Sequence, residues 1–336
     1  MITKRAFALA GLVAALSLAG CGKPEQKPAA TAAPQAINFS IQNTETQQSV
    51  AALWQPLLDD LSKALGVPVK PFFASNYSAL IEAMRFNQVQ AGWFSALPAL
   101  EAVRRAGGEV AARTVDVDGL DSYNSMLIAR ADSKLDADSV AKCGKTLSFG
   151  MGDAKSLSGT LAPLTFYFTP RGIDPNTCFK AVRSANHQNN LFAVANGVLD
   201  ASTMNSVGMT FARREQPEAA KKVKVIWTSP ALPESAFVLK SDMDPAMKAK
   251  FRAFLTSYGK APGAEGEHQR MVLKGLNYSG FRAADDSYLS PVLQMEAAQE
   301  LAEAKRGKDA SKIAAAQAAY DVAQKGLPSR AGAAAP

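Results

Sequence analysis

Apolar and polar residues alternate through Ile37-Asn38-Phe39-Ser40-Ile41, the two-residue period of a strand with one buried face. From Trp54 to Leu65 apolar residues return every three or four positions, which predicts a helix stopped by Gly66. Val67 to Phe73 reads as a second strand. Pro68 and Pro71 place it at a sheet edge, because proline cannot donate to a ladder. A helix over Tyr77–Phe86, a short strand over Gln90–Phe94 and a helix over Leu97–Ala106 follow. The second half continues in this style, with strands at Thr146–Phe149, Lys180–Arg183 and Asp200–Thr203 and helices at Leu161–Phe168 and Asn189–Ala195.

Such alternation predicts an α/β protein with mostly parallel sheets and a ligand at the carboxyl ends of the strands. Residues 37–336 are enough for two lobes rather than one. Two extended segments, Tyr123–Ala129 and Val223–Leu239, read as a two-strand hinge through which the chain leaves one lobe and returns to it. The first lobe is expected over 37–127 with 228–300, and the second over 128–227. Met295 to Lys325 is rich in Ala, Glu and Lys at helical spacing. Residues 301–326 therefore read as a C-terminal helix, packed on a lobe or on a second copy as a homodimer, and 327–336 as a disordered tail.

The start of the chain and its charge narrow the setting. Lys4 and Arg5 precede an apolar run from Ala6 to Ala19, the pattern of a secretory signal too short to span as a normal transmembrane helix. The run closes on Leu18-Ala19-Gly20-Cys21, which resembles a bacterial lipoprotein processing box. Residues 1–21 then form the signal, and a lipid on Cys21 tethers the protein outside the cytoplasm. An ordinary signal cut elsewhere is the plainer alternative. Residues 22–36, rich in Pro and Ala, read as a flexible tether. The formal net charge is +7, or +5 without Lys4 and Arg5, from basic residues scattered without aromatic interleaving, which argues against a nucleic-acid surface. Cys143 and Cys178 are an even pair in an oxidising compartment and are expected to form a structural disulfide, the alternative being two buried thiols.

Candidate chemistry gathers between Gly150 and Pro163, in GMGDAKSLSGTLAP. The stretch lacks the third glycine of a dinucleotide fingerprint and the Gly-Lys-Ser/Thr of a P-loop. Ser156 stands where a nucleophile elbow at Ser158 would need glycine. What remains is a strand, a turn and Ser156–Thr160 opening a helix, whose hydroxyls and free N–H groups suit an anion. Serines at a helix start are equally explained as plain caps, and Pro163 removes one internal bond. His187, at the next strand-to-helix turn of the same lobe, tilts the reading towards an oxyanion site to which its imidazole donates. Two histidines, His187 and His268, do not indicate a zinc site, and no cofactor is expected. A Ser158–His187 hydrolase lacks an evident orienting acid.

Three segments resemble the phosphonate-binding (PhnD-type) solute-binding proteins of phosphonate and phosphite ABC importers. They are Asn43-Thr44-Glu45-Thr46-Gln47-Gln48, the run from Phe72 to Val103 with Asn76-Tyr77 and Met84-Arg85-Phe86-Asn87, and the Gly150–Thr160 loop. The resemblance implies a two-lobed periplasmic-binding fold, type II-like, that clamps its ligand between the lobes and is recognised by an ABC permease in the membrane. It implies that Ser156, Leu157, Ser158, Gly159 and Thr160 grip a phosphorus oxyanion together with His187, while Tyr77 and Tyr123 line the other side. Leu157 stands where the family has threonine, so only its backbone N–H is on offer.

Val207 and Ser235 stand at the two positions where a family member suited to 2-aminoethylphosphonate has carboxylates, although Glu234 lies beside the second and a one-residue shift could restore it. A buried ammonium without its carboxylates is costly, so the expected ligand is phosphite, methylphosphonate or a similar oxyanion with an uncharged tail. Trp54 and Trp93 read as core, and Arg85 as salt-bridged or capping. The rival functions are an extracytoplasmic enzyme acting on phosphorus esters and a ligand-sensing partner of a membrane receptor.

Overall fold

Thr46 accepts the Ser49 N–H and opens a helix over Gln47–Leu65, earlier than the apolar spacing from Trp54 suggests. Its buried stripe, from Val50 and Trp54 to Leu61 and Leu65, packs against Ile37, Phe39 and Phe237. Gly66 ends it in the left-handed conformation (φ 72°). The computed structural model describes residues 36–329. The signal, the tether up to residue 35, Cys21 and the tail beyond 329 lie outside the described residues.

Strands β1 (Ile37–Ile41), β2 (Val69–Phe72), β3 (Ala91–Phe94), β4 (Gly108–Asp116), β10 (Ala236–Lys240) and β11 (Tyr278–Ala283) form a six-stranded sheet in the order β11-β4-β10-β3-β1-β2. The proline-bearing β2 lies at its edge. Strands β5 (Ser122–Arg130), β6 (Ser148–Met151), β7 (Ala181–Ser184), β8 (Ala201–Asn205) and β9 (Val223–Pro233) form a five-stranded sheet in the order β7-β6-β8-β5-β9. Both sheets are mixed, which corrects the expectation of mostly parallel pairing. β1 runs parallel to β2 and β3, and β6 to β7 and β8, but β10 runs against β3 and β4, and β5 against β8 and β9. β11 runs against β4 as well, and every antiparallel pairing involves β4, β5, β9 or β10, the strands that flank the crossings between lobes.

β5 and β9 pair wholly within the second sheet. Residues 122–127 and 228–233, expected in the first lobe, therefore belong to the second, and the crossings fall at 117–121 and 234–235. Glu234 N–H donates to the Asp121 carbonyl (3.1 Å), and the Tyr288 hydroxyl donates to the carbonyls of Asp121 (3.3 Å) and Glu234 (3.1 Å). These bonds tie the two crossings together.

Cys143 and Cys178 are joined, with Cα atoms 5.6 Å apart, in the second lobe. The C-terminal stretch is two helices rather than one, Ser290–Gly307 and Ala310–Ala323, separated at Lys308 in the left-handed conformation (φ 57°). The first of them packs on the Ala96–Arg105 helix of lobe 1 and on the Leu157–Phe168 segment of lobe 2. Among the described residues no helix is long and apolar enough to cross a membrane.

Candidate functional site

The chain turns back after β6 through Gly152, where a Cβ would lie 2.6 Å from the Gly159 Cα. The two backbones touch because both residues are glycine. Ser156 caps the following helix, its hydroxyl accepting the Gly159 N–H (2.9 Å). That helix begins at Leu157, not Leu161, and is wound with wide π-type bonds over Leu157–Leu161 and Leu164–Phe168. Pro163 has no N–H with which to serve the Ser158 carbonyl across the wide turn, and the Ser125 hydroxyl takes that carbonyl instead (2.6 Å). The Gly159 carbonyl accepts from Gly152 N–H (2.8 Å). The wall is thus pinned to β5 and to the β6 turn.

This wall faces a cavity of about 70 Å³. Tyr77, Tyr123, Ser156, Ser158 and His187 are brought together on its lining. The side chains of Leu157, Gly159 and Thr160 are not. Leu157 is fully buried in the apolar cluster that holds Leu100 and Leu232, and the Thr160 hydroxyl donates to the Asp153 carbonyl (2.8 Å). Of the five expected residues, Ser156 and Ser158 line the cavity, while the side chain of Leu157 seals the core between the lobes. The first-turn N–H groups of Leu157 and Ser158 precede any acceptor within the helix.

His187 is the first residue of the His187–Ala195 helix, which Asn186 caps by accepting the Asn189 N–H (2.8 Å). Its Nε2 lies 3.4 Å from the Ser158 hydroxyl, and its Nδ1 has no partner among the described residues. Burial pulls its pKa down to about 4, so the ring is neutral at neutral pH. Asn205, which sequence reasoning missed, donates from Nδ2 to the Ser158 hydroxyl (3.2 Å) while its Oδ1 caps Gly208 N–H (2.6 Å). Its signal is the strand-end asparagine of Asn205-Ser206-Val207-Gly208, the same strand-to-cap pattern that precedes His187. Burial pushes the phenols of Tyr77 and Tyr123 above their ordinary range, leaving both as neutral donors.

Residues 39–289 match the family described as "ABC transporter, phosphonate, periplasmic substrate-binding protein". The chain belongs to that family. The phosphonates-binding periplasmic protein of Escherichia coli K12 is 39% identical over 276 residues, covering 82% of this chain and 80% of the relative. A probable ABC transporter phosphite binding protein of Prochlorococcus marinus is 24% identical over 232 residues, 67% of this chain and 77% of its own length. Among solved structures, a binding protein component of an ABC phosphonate transporter from Pseudomonas aeruginosa superposes with a TM-score of 0.82 at 36% identity, covering 86% of this chain and 97% of the other. The fold is also shared with the Prochlorococcus marinus protein solved in complex with methylphosphonate (TM-score 0.69, 19% identity, 78% and 97% covered).

Within this phosphonate-binding family member, Val207 and Ser235 do line the cavity, but so do two carboxylates, Glu45 and Glu234. Glu234 is 2% exposed. One of its oxygens accepts from the Thr114 hydroxyl (3.1 Å) and the Ser235 N–H (3.0 Å), and the other, Oε1, has no partner among the described residues. Burial pushes both Glu45 and Glu234 up to about 7. Whether Glu234 takes the place of the absent amine-binding carboxylates bears on the expected uncharged tail, and Glu234 does line the cavity. Trp54 and Trp93 pack at a tilt in the core, with ring centroids 5.1 Å apart, yet also border the cavity. Arg85 pairs with Glu82 (3.3 Å) and stays away from it.

The cleft is closed. Thr46 N–H donates to the Gln188 side-chain carbonyl (2.8 Å), the Asn186 amide to the Glu45 carbonyl (3.2 Å), and Tyr77 N–H to the Asp153 carboxylate (3.2 Å). Lys155 adds an ion pair to Glu101 at 3.6 Å.

Proposed function

We propose that this protein captures a small phosphorus oxyanion, a phosphonate, phosphite or similar ion, between its lobes and presents it unchanged to the permease of an ABC importer. One observation carries this reading. The cavity between the lobes is lined by Ser158, a neutral His187 whose Nδ1 has no partner among the described residues, Tyr77 and Tyr123, beside a helix start whose first N–H groups have no acceptor within the helix. Its volume is a few times the ~10–15 Å³ that one water needs, which suits a small ion and not a nucleotide. The Escherichia coli relative named for phosphonates supports the same class. We further propose that the protein sits in the periplasm, held by a lipid on Cys21.

Binding without chemistry is supported by the state of the Ser158–His187 pair. His187 Nδ1 meets no carboxylate among the described residues, so nothing orients the ring as a base towards Ser158. Calorimetry of residues 22–336, purified free of ligand, against phosphite, phosphate, methylphosphonate and 2-aminoethylphosphonate tests the reading. Saturable, stoichiometric binding of at least one is expected, and no binding of any would overturn it. Turnover of a phosphorus ester by the same preparation would favour the enzyme instead.

A further inference from the structure

Phe211 lies one helical turn after Val207 on the Ser206–Glu215 helix, which puts both on the face that lines the cavity. Phe211 also borders a second space. An outer groove of about 260 Å³, beside Ser49, Gln188 and Gln216, shares three lining residues with the cavity: Glu45, Leu53 and Phe211. These three residues therefore stand between the two volumes. Glu45 is held by its carbonyl, which accepts from the Asn186 amide, and Leu53 packs on the lobe 1 core from the Gln47–Leu65 helix. Phe211 lacks such support: among the described residues it is part of none of the buried apolar clusters of either lobe.

What holds its ring is Arg214, three residues further along the helix. The guanidinium lies over the Phe211 ring, 4.8 Å from the centroid, and reaches across the cleft to lobe 1. There Nη2 donates to the Gly275 carbonyl (3.0 Å) and Nη1 to the Lys274 carbonyl (3.4 Å), the last two residues of the Gly263–Gly275 helix. The final carbonyls of a helix give its C-terminus a partial negative charge, which suits a cation. Nε pairs with the neighbouring Glu215 carboxylate (2.6 Å). Leu276, the next residue in lobe 1, is on the cavity lining, while Arg214 is not. The arginine thus joins a lining residue of one lobe to the wall of the other from behind.

We propose that Phe211 is the specificity-determining residue that limits the size of the ligand's tail, with Arg214 as the positioning residue that keeps its ring in place. The inference rests on the oxyanion-binding reading above. An oxyanion held by Ser158 and His187 leaves its tail to the apolar remainder of the lining, which includes Val207, Phe211 and Leu276. The cavity of about 70 Å³ contains a methyl group but not a phenyl ring beside the oxyanion. A phenyl tail is housed only if the Phe211 ring gives way and the cavity opens into the groove. With the lobes shut, Arg214 opposes that movement. The ligands selected are phosphorus oxyanions with a short tail or none.

The test is calorimetry of residues 22–336 with methyl-, propyl- and phenylphosphonate, comparing wild type, Phe211→Ala, Arg214→Ala and the double variant. Wild type should bind methylphosphonate at least about 30-fold tighter than phenylphosphonate. Phe211→Ala should bind phenylphosphonate roughly 10-fold tighter than wild type does, because the merged volume admits its ring. It should bind methylphosphonate about 3- to 10-fold more weakly, because an apolar wall is lost. Arg214→Ala should shift the methyl-to-phenyl ratio in the same direction by about 2- to 5-fold. That shift should vanish in the Phe211→Ala background, since the arginine acts through the ring. An arginine with a merely structural role would lower both affinities and leave the ratio alone.

A methyl-to-phenyl ratio unchanged in Phe211→Ala overturns the proposal, and an Arg214→Ala shift that persists in the double variant overturns the positioning role. Should Phe211→Ala not fold, the wild type decides. Its affinity should fall from methyl- through propyl- to phenylphosphonate, and equal binding of all three is equally fatal. Failure of phosphite and all three phosphonates to bind wild type is a different result, and it removes the oxyanion-binding reading itself.

Discussion

At the scale of single residues, burial sets the protonation of the site. His187 is held neutral, with its pKa near 4, so any hydrogen bond it gives a ligand comes from a neutral ring and not from a cation. His187→Ala should weaken oxyanion binding by roughly 1–3 kcal/mol, and the ratio of wild-type to variant affinity should stay flat between about pH 5 and 8. Calorimetry that finds equal affinities would remove its role. Glu234 shifts the other way, from 4.5 to about 7 in the folded chain. The folded state prefers its acid form, so its contribution to stability is intact below about pH 4.5 and is lost as pH rises towards and past 7. Without ligand, Glu234→Gln should therefore raise the unfolding free energy by up to roughly 3 kcal/mol at pH 8 and by little at pH 4.5, as read by denaturant titration.

The hydroxyls and His187 were legible because their residue types stand at strand-to-helix turns, and Tyr77 and Tyr123 through the resemblance to the family. Asn205 was not, since an asparagine that caps a helix and one that also steers a neighbouring hydroxyl look identical in sequence. The lining position of Glu45 and the inward turn of Leu157 depend on how the two lobes meet.

At the scale of elements, the helix that starts at Leu157 shows why the glycines of the Gly150–Pro163 stretch are there. They do not cradle a pyrophosphate. Gly152 and Gly159 let the β6 turn and the helix share a hydrogen bond at 2.8 Å, which holds Ser158 against the cavity. Gly159→Ala forces a Cβ to within 2.7 Å of the Gly152 Cα. It should cost about 1–3 kcal/mol of stability and weaken ligand binding, because the backbone can relieve the clash only by moving the wall. Loss of neither melting temperature nor affinity would show that the close approach is not needed. Strand and helix identities were readable from period alone, but pairing direction was not. β5 and β9 carry the same alternation as a parallel strand would, and only the route of the chain between lobes reverses them. The hinge boundary was hidden for a related reason. Val223 to Leu239 is β-prone on both sides of Glu234-Ser235, so the crossing leaves no gap in the pattern.

For the whole molecule, affinity depends on closure as much as on contact. Gln188 accepts the Thr46 N–H across the cleft but does not line the cavity, so it acts on the closed state and not on the ligand. A neutral hydrogen bond of this kind contributes about 0.5–1.5 kcal/mol net. Removing it in Gln188→Ala lowers the closed fraction, and apparent affinity falls in proportion to the competent population. The expected loss is about 2- to 10-fold for every ligand that binds. It should be uniform, leaving the ratio between phosphite and methylphosphonate as in wild type, and small-angle scattering of the ligand-free variant should show a larger radius of gyration. Glu234→Gln, a change on the lining, should instead shift the ratio between methylphosphonate and 2-aminoethylphosphonate with the cross-cleft bonds intact. Because the two variants alter different quantities, a Gln188→Ala protein with altered selectivity would mean that closure and recognition are not separable in this fold.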